Sequence, residues 1–336
     1  MRIFLLLLVC LAAGGSLKAA PFSDLYFFGD SLSDAGNIGR LTAGAYPPSP
    51  YFSGRFSDGP VWSEQFALLK GFPLAGQQAG MTLGPNFLNL KVEGAGNNYA
   101  IGGARTDTTG SADSVGIPTG LFTQVVFYLS QSNFQADPNA LYVLFGGSND
   151  LRDAAQLSPE LRDAAARQAA VNLFFNAFVL GQYGARRFAI LNAPDIGLTP
   201  EARIVRNNAE AASAATLQYN FALDYMLNFL AFPNQQLFRF DTYSAFNNLY
   251  YDAINGGSVY GITNATTPCF PGFAGSAGAD CATSLFADDL HPTAITHLYL
   301  AQAVDQEVHN PEPGTLGLVG FALVSVLWWQ RRRRAN

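Results

Sequence analysis

The feature that most constrains the fold is a repeated alternation of short apolar runs with longer amphipathic segments. The apolar runs lie at residues 25–29, 141–145, 188–191 and 237–240, with a weaker candidate at 98–101. Segments of helical periodicity lie at residues 61–70, 121–130, 160–182 and 201–230, and a last one runs from 293 to about 308. Continuous short apolar runs are typical of parallel strands that are buried on both faces. The pattern therefore predicts an α/β protein, a three-layer doubly wound sandwich around a central parallel sheet of about five strands.

Two long stretches show neither the short apolar runs of buried strands nor the periodicity of a helix. Residues 41–59 are rich in Pro, Tyr, Ser and Gly, and residues 243–287 are rich in Gly, Asn and aromatic residues. Long loops in a compact domain usually build a binding surface. Parallel sheets of this kind place their sites beyond the carboxyl ends of the strands, so we expect the functional residues there.

The first twenty residues are typical of a signal peptide. Met1 and Arg2 precede an apolar run at residues 3–11, and small residues follow as far as Ala19 and Ala20. A basic start, an apolar centre and a small-residue exit direct a chain to export. We expect cleavage after Ala19 or Ala20; the alternative is a buried N-terminal strand.

The last residues, 311–336, carry a second signal. Pro311, Glu312 and Pro313 precede an uncharged run at residues 314–330, and four arginines, 331–334, follow it. Seventeen helical residues reach about 25 Å, slightly less than the roughly 30 Å of a bilayer core. Four arginines after such a run favour a stop in transfer with the basic end in the cytoplasm.

This C-terminal segment resembles the PEP-CTERM sorting signal of Gram-negative bacteria. The resemblance implies a protein that is transiently anchored in the inner membrane, cleaved by an exosortase, and delivered to the periplasm, the cell surface or the medium. A plain C-terminal membrane anchor is the alternative. The two terminal signals leave residues 21–310 as the folded domain.

The charge of that domain excludes one class of partner. Six of the 19 basic residues and one of the 25 acidic residues lie in the terminal signals, which leaves 13 basic and 24 acidic residues and a net charge of −11. Binding to nucleic acid needs clustered Lys and Arg to neutralise phosphates. An acidic domain therefore argues against a nucleic-acid partner.

The cysteines predict one disulfide. Cys10 lies in the signal peptide, which leaves Cys269 and Cys281, an even count in an exported chain. Cysteines of exported proteins commonly pair. We expect a Cys269–Cys281 bridge and no metal site, because these two cysteines have no second pair of ligands nearby.

Two motifs from opposite ends of the domain suggest nucleophilic catalysis. Ser31 follows Gly29 and Asp30 directly after the first apolar run, although Gly, Asp and Ser are also common in simple turns. Asp288 stands three residues before His291, a spacing that lets a carboxylate reach the imidazole within one turn. A serine hydroxyl needs such a base, and the base needs a group that orients it.

The choice of histidine rests on elimination. The chain has three histidines; His297 falls on the last predicted helix and His309 in the linker to the tail, which leaves His291 as the base. The alternative is a turn histidine that Asp288 pairs with for stability. Asp289, the neighbouring acid, is expected to be only a loop residue.

Two glycine-rich turns offer donors for an oxyanion. Gly102 and Gly103 follow the weak strand at 98–101, and Gly147, Ser148, Asn149 and Asp150 follow the strand at 141–145. Backbone N–H groups of such turns and the Asn149 amide are suitable donors to a developing negative oxygen. The chain has neither the P-loop nor the dinucleotide-binding glycine pattern, and it lacks the G-x-S-x-G nucleophile elbow.

Together these blocks resemble the GDSL-type esterases and lipases of the SGNH hydrolase superfamily. The matching blocks are Gly29 to Leu32, Gly103, Gly147 to Asp150, and Asp288 with His291; the stretches at 51–59 and 192–195 also resemble lipase-like members. The resemblance implies the flavodoxin-like SGNH fold and acyl transfer without metal or organic cofactor. It assigns Ser31 as nucleophile, His291 as base and Asp288 as its orienting acid. It also assigns the Ser31 and Gly103 N–H groups and the Asn149 side chain to the oxyanion hole.

The sequence leaves three functions open. The main hypothesis is an exported carboxylic-ester hydrolase that acts on lipid or aryl esters. The first alternative is a carbohydrate O-acetylesterase that acts on surface polysaccharide, as the sorting signal suggests. The second is a non-catalytic surface binding protein on the same scaffold, which the intact Ser31, Asn149, Asp288 and His291 argue against.

Overall fold

A computed structural model of the protein describes residues 22–73, 77, 81–83, 90–92, 96–110, 118–231 and 233–309. The predicted signal peptide at 1–20 and the predicted sorting signal at 311–336 lie outside the described residues. Phe22–Asp305 form one compact unit, and the described residues after it, 306–309, are the last turn of a helix. Within the described ranges, no helix is both long and apolar enough to cross a membrane.

The strands and helices follow one another along the chain in the alternation that the sequence predicts. The strands are β1 (Leu25–Gly29), β2 (Met81–Leu83), β3 (Leu90–Val92), β4 (Leu141–Phe145), β5 (Arg187–Leu191) and β6 (Gln236–Phe240). The helices are α1 (Asn37–Leu41), α2 (Trp62–Leu69), α3 (Leu121–Gln131), α4 (Ser148–Ala154), α5 (Pro159–Gln182), α6 (Ala209–Leu227), α7 (Thr242–Ile254) and α8 (Ala294–His309). Strands β2 and β3 form a separate antiparallel pair.

A parallel sheet with the order β1–β4–β5–β6 forms the centre of the unit. Its register places Gly29 beside Phe145, Phe145 beside Leu191, and Leu191 beside Phe240. The four carboxyl ends therefore lie in one row, and every loop that leaves this edge starts from the same side of the sheet. The predicted α/β class with a doubly wound parallel sheet is confirmed.

The fifth predicted strand is present as an extended segment beside β1 rather than as a regular strand. The Phe27 N–H donates to the Asn97 carbonyl at 3.0 Å, and the Tyr99 N–H donates to the Phe27 carbonyl at 2.8 Å. On its other side, the Asn37 amide donates to the carbonyls of Asn98 and Ala100, at 2.7 and 2.8 Å. The Asn37 side chain therefore hydrogen-bonds to two carbonyl groups that would otherwise be free to pair with a further strand. The described sheet has four regular strands, where the sequence predicted about five.

Helices cover both faces of the sheet because successive strand residues point to opposite sides. The Phe27 ring contacts Trp62 and Phe66 of α2, with centroid distances of 6.0 and 6.2 Å. The next residue, Phe28, faces the other way and contacts Tyr128 of α3 at 5.8 Å. Helices α3, α5 and α6 share one apolar core with that second face. This arrangement gives the three layers that the sequence predicts.

Two predictions of secondary structure were wrong in detail. The helix predicted at 201–230 is broken: a π-helical turn at Glu201–Val205 ends before Asn207, which has a φ of 52°, and α6 starts at Ala209. The predicted loop at 243–287 contains α7, whose buried residues Phe246, Leu249, Tyr250 and Ala253 recur at helical spacing. Asp241 caps that helix by accepting the Ser244 N–H at 3.1 Å. Aromatic residues and asparagines are poor helix formers, which hid α7 in the sequence.

Candidate active site

A tight turn after β1 holds Ser31 at the row of strand ends. The Gly29 N–H donates to Oε1 of Gln124 at 2.9 Å, and Nε2 of Gln124 donates back to the Gly29 carbonyl at 2.8 Å. A Cβ on Gly29 would lie only 2.4 Å from the Phe145 carbonyl oxygen, so glycine is required there. The Asp30 carbonyl accepts the N–H groups of Ser33 and Asp34, both at 3.0 Å. Ser31 is fixed in this turn with its side chain in a cleft.

A second turn brings Asp288 and His291 together. Oδ1 of Asp288 accepts the N–H groups of Leu290 and His291, at 2.7 and 2.6 Å. Nδ1 of His291 donates to Oδ2 of Asp288 at 2.6 Å. Oγ of Ser31 donates to Nε2 of His291 at 2.8 Å, across a sequence separation of 260 residues. The three residues that the sequence singled out therefore form one unbroken hydrogen-bond chain.

The neighbouring acid, Asp289, makes a different contact, through its backbone. Its carbonyl oxygen accepts the Glu201 N–H at 2.7 Å. Burial and the neighbouring Asp288 charge raise the pKa of Asp289. In the described residues it is Asp288 that hydrogen-bonds to the imidazole.

The loop at 51–59 covers the back of His291. The Tyr51 hydroxyl donates to Oδ2 of Asp288, the oxygen that also accepts Nδ1 of His291. The Phe56 ring lies against the imidazole, with centroids 4.9 Å apart and planes at 31°. Oγ of Ser57 donates to the Pro292 carbonyl at 2.9 Å. The resemblance included this stretch, and Tyr51 was a candidate for an apolar acyl pocket; the structure instead places Tyr51 against Asp288 and Phe56 against His291.

The disulfide loop lies behind the same contact. The structure joins Cys269 to Cys281, as the sequence predicts. The Phe270 N–H donates to the Ala287 carbonyl at 2.8 Å, and the Phe270 ring contacts Tyr51 at 5.3 Å. The cross-linked loop therefore packs directly against the residues that precede Asp288 and against the phenol that binds it.

The His291 charge and the hydrogen bonds to Asp288 favour the ionised form of this carboxyl. Burial by itself raises the pKa of this carboxyl, but the His291 charge and the hydrogen bonds from His291 and Tyr51 outweigh burial and lower the pKa below its usual value. For two neighbouring acids, burial outweighs the hydrogen bonds and charges that lower their pKa values. Burial raises the pKa of Asp30 to about 6 and that of Asp150 to about 7.

The Asn149 side chain is held in one orientation beside Ser31. Nδ2 of Asn149 donates to the Ala104 carbonyl at 3.0 Å, and Oδ1 accepts Nη1 of Arg152 at 3.3 Å. The Arg152 guanidinium is itself fixed by two hydrogen bonds to the Glu201 carboxylate, at 2.6 and 2.7 Å. This arrangement directs the NH₂ group of Asn149 towards the loop that carries Gly103.

The Gly103 loop is hydrogen-bonded to α4, the helix that also carries Asn149. Asp150 accepts the Thr106 N–H at 3.1 Å and the Thr106 hydroxyl at 2.8 Å. Gly103 has a φ of 77°, a left-handed conformation that favours glycine. Gly103, Asn149 and Ser31 line one cavity together.

Two cavities of different character meet at Ser31, Asn149 and His291. The first is narrow, about 40 Å³, and is lined mostly by apolar groups that include Leu32, Phe145, Ile196, Phe246 and Leu290. The second is about 600 Å³ and more polar, and its lining includes Tyr46, Gly103, Arg105, Thr109 and Arg152. The three shared residues therefore lie at the junction of a small apolar space and a larger polar one.

A serine, an imidazole and a carboxylate in one hydrogen-bond chain at the carboxyl edge of a parallel sheet are the arrangement of a serine hydrolase. The sequence places the chain more narrowly. The profile of the GDSL-like Lipase/Acylhydrolase family matches residues 25–304, and the chain belongs to this family. The predicted family is therefore confirmed, and its esterase and lipase members support an ester-hydrolysing enzyme.

Three curated relatives illustrate the range of the family. The chain is 29% identical over 332 residues to the phosphatidylcholine-sterol acyltransferase of Aeromonas hydrophila. This match covers 94% of the chain and 88% of the acyltransferase. It is 26% identical over 301 residues to the thermolabile hemolysin of Vibrio parahaemolyticus, covering 84% and 63% of the two chains. It is 33% identical over 212 residues to the esterase EstA of Pseudomonas aeruginosa, covering 58% and 32%. The chain thus spans less than two thirds of the length of the last two relatives.

Proposed function

We propose that the protein is an exported serine ester hydrolase that cleaves carboxylic esters through an acyl-enzyme on Ser31. The observation that carries the proposal is the hydrogen-bond chain from Asp288 through His291 to Ser31. Every distance in that chain is already short enough for proton transfer, so the nucleophile and its base are arranged before substrate binds.

In the proposed reaction, Oγ of Ser31 attacks the ester carbonyl while its proton passes to Nε2 of His291. The ionised Asp288 holds the imidazole in the tautomer that accepts at Nε2 and stabilises the imidazolium that forms. His291 then gives the proton to the leaving alkoxide, and the alcohol departs. Water, activated by the same imidazole, attacks the acyl-Ser31 ester and releases the acid.

The negative oxygen of each tetrahedral intermediate is assigned three donors: the N–H groups of Ser31 and Gly103 and the Nδ2 group of Asn149. Support comes from the shared cavity of these residues and from the fixed orientation of the Asn149 amide. Donors that are held in place before the reaction stabilise the transition state without having to reorganise.

The two cavities suggest how a substrate lies in the site. An acyl group suits the narrow apolar cavity, and the alcohol portion suits the larger polar one. This distribution supports lipid or aryl esters with a short acyl group near Ser31. It also favours the second candidate, a carbohydrate O-acetylesterase, because an acetyl group fits the narrow cavity and a sugar alcohol suits the polar one.

Export is part of the proposal. The predicted signal peptide at 1–20 and the predicted sorting signal at 311–336 support passage through the inner membrane, a transient anchor there and release by an exosortase. The Cys269–Cys281 bridge supports an oxidising compartment, where disulfides form and persist. The acting enzyme is then residues 21–310, in the periplasm, at the surface or in the medium.

A serine-directed fluorophosphonate tests the catalytic assignment. The reagent should label Ser31 in the wild-type chain and in Ser33→Ala, and it should not label Ser31→Ala. Ser33 is a matched control because it lies in the same turn, where its hydroxyl accepts the Trp62 indole N–H. Labelling of another serine, with full activity in Ser31→Ala, contradicts the proposal.

A series of p-nitrophenyl esters from acetate to palmitate separates the two substrate candidates. Activity on acetate alone, together with release of acetate from an acetylated polysaccharide, identifies the acetylesterase. Activity that extends to longer acyl chains, or activity on the aryl acetate without release of acetate from the polysaccharide, identifies the lipid or aryl esterase. Failure to hydrolyse every ester in the series contradicts both and supports a binding protein.

A further inference from the structure

Helix α6 carries an exposed ladder of large apolar side chains. Leu217, Phe221, Tyr225 and Phe229, the last just beyond the helix end, recur every four residues and therefore lie on one side of it. Their exposed fractions are 53%, 74%, 58% and 59%. Single exposed apolar residues are ordinary, but a continuous row of four is not.

The neighbouring helices extend this row into a face. Helices α5 and α6 pack directly against each other and contribute to one apolar core. The Phe175 ring contacts Phe122 of α3 at 5.9 Å and Phe178 at 6.4 Å. We define the apolar face as the exposed residues Val126, Val171, Phe175, Phe178, Leu217, Phe221, Tyr225 and Phe229.

The centre of this face is almost free of charge. Residues 168–182 contain no charged residue, and residues 211–229 contain only Asp224. Charged residues appear at the margins: Arg162, Asp163 and Arg167 on the first turns of α5, and Arg239, which pairs with Asp224 at 3.1 Å. An aromatic centre depleted of charge with a polar margin is the composition of a protein–protein interface.

The size of the face matches a standard interface. Large apolar side chains each contribute about 150–250 Å² when fully exposed. With their exposed fractions, the eight residues present roughly 800 Å², which is about the area that each partner buries in a stable complex. The largest apolar patch of an ordinary monomer is about 300–600 Å².

We propose that this apolar face is the interface of a homodimer, with the α5–α6 faces of two copies packed against each other. A second copy suits the face because a surface almost free of charge can meet itself across a two-fold axis with few opposing like charges. A bilayer is disfavoured, because the domain carries a net charge of −11 and two of the three arginines at the margin of the face are paired with Asp163 and Asp224 rather than left for anionic lipids. None of the eight residues lines the two cavities at Ser31, so the dimer leaves the active site open.

Sedimentation velocity of the full chain over a concentration series tests the proposal. The wild-type chain should sediment as a dimer. Phe221→Glu places a charge at the most exposed point of the face, and the double variant Phe175→Glu/Phe221→Glu places charges on both helices. Each change should weaken dimerisation by about 30-fold or more, the scale of a hot-spot residue, while ester hydrolysis and the melting temperature stay near wild type.

Val259→Glu is the matched control. Val259 is 73% exposed, close to the 74% of Phe221, but it lies in the loop after α7 and outside the apolar face. This variant should remain a dimer, and all variants keep the same C-terminal tail, so association through the tail affects them equally. A wild-type chain that stays monomeric overturns the proposal, as does a dimer that survives the double variant. If the monomer instead binds phosphatidylglycerol vesicles and Phe221→Glu abolishes that binding, the occupant is a bilayer and the dimer is wrong.

Discussion

The Tyr51 hydroxyl donates a hydrogen bond to Oδ2 of Asp288, although the two residues are 237 positions apart in the sequence. The same oxygen accepts Nδ1 of His291, so the phenol and the imidazole share one acceptor. Burial raises the pKa of the Tyr51 phenol above its usual range. The phenol therefore stays protonated and acts as a hydrogen-bond donor. The loop at 51–59 thus helps to fix the carboxylate that orients the base.

Replacing Tyr51 with Phe should lower kcat by about tenfold, because one hydrogen bond to a charged group is worth about 1.5–3 kcal/mol and part of it is lost from the transition state. KM should change little. Tyr251→Phe, an exposed tyrosine on α7, is the control and should behave as wild type. Unchanged kcat in Tyr51→Phe would show that His291 and the backbone N–H groups hold Asp288 without help.

The two adjacent acids should differ sharply in their effect on turnover. Asp288→Asn removes the acceptor that fixes the His291 tautomer and should lower kcat by up to about 10⁴. Asp289→Asn should cost far less, since that side chain makes no hydrogen bond to the imidazole in the described residues. Steady-state kinetics of the pair decides the assignment, and a reversed order of the two losses would make Asp289 the orienting acid.

Arg152 should act on catalysis only through Asn149. Asn149→Ala removes one oxyanion donor and should lower kcat by about 10²–10³ with little change in KM. Arg152→Ala frees the Asn149 amide to rotate and should cost about tenfold in the wild-type background, but almost nothing further in Asn149→Ala. Additive losses in this double-mutant cycle, or a loss confined to KM, would mean that Arg152 contacts the substrate instead.

Asp150 should make the fold less stable at high pH. Burial raises its folded-state pKa from 3.8 to about 7, so the folded protein binds this proton more tightly than the unfolded chain does. That contribution is fully present below pH 3.8 and is lost as the pH rises through about 7. Thermal melts should therefore show wild type losing stability relative to Asp150→Asn between pH 5 and 8. A constant difference across this range would show that the carboxylate is ionised throughout.

The sequence was sufficient for the parts of the site that depend on local geometry. Ser31 follows a buried strand, and Asp288 and His291 share one turn, so both motifs are visible in short windows. Asp288 and His291 follow no strand of the described sheet, and the resemblance to the GDSL family joined them to Ser31. Ser31 itself was expected at the edge where the parallel strand ends meet. Gly103 and Asn149 follow for the same reason.

Contacts between loops that are distant in the sequence could not be predicted from short sequence motifs. Tyr51 and Phe56 reach Asp288 and His291 only because the 51–59 loop folds back over the last turn, and no periodicity encodes that approach. The Arg152–Glu201 pair joins α4 to the π-helical turn at Glu201–Val205, where the sequence suggested the start of one continuous helix. The Asn37 amide, which replaces a neighbouring strand at residues 98–100, is a side-chain substitution for backbone pairing that a strand pattern does not reveal.

The central claim is an acyl-enzyme on Ser31, and mass spectrometry of the enzyme quenched during turnover of a p-nitrophenyl ester tests it most directly. The peptide that contains Ser31 should gain the mass of the acyl group, and the gain should be absent from Ser31→Ala, which should have lost ester hydrolysis. Asp288→Asn should accumulate the same adduct more slowly, since His291 is then poorly oriented for the first step. An acyl group on any other residue, or undiminished hydrolysis by Ser31→Ala, would contradict the account.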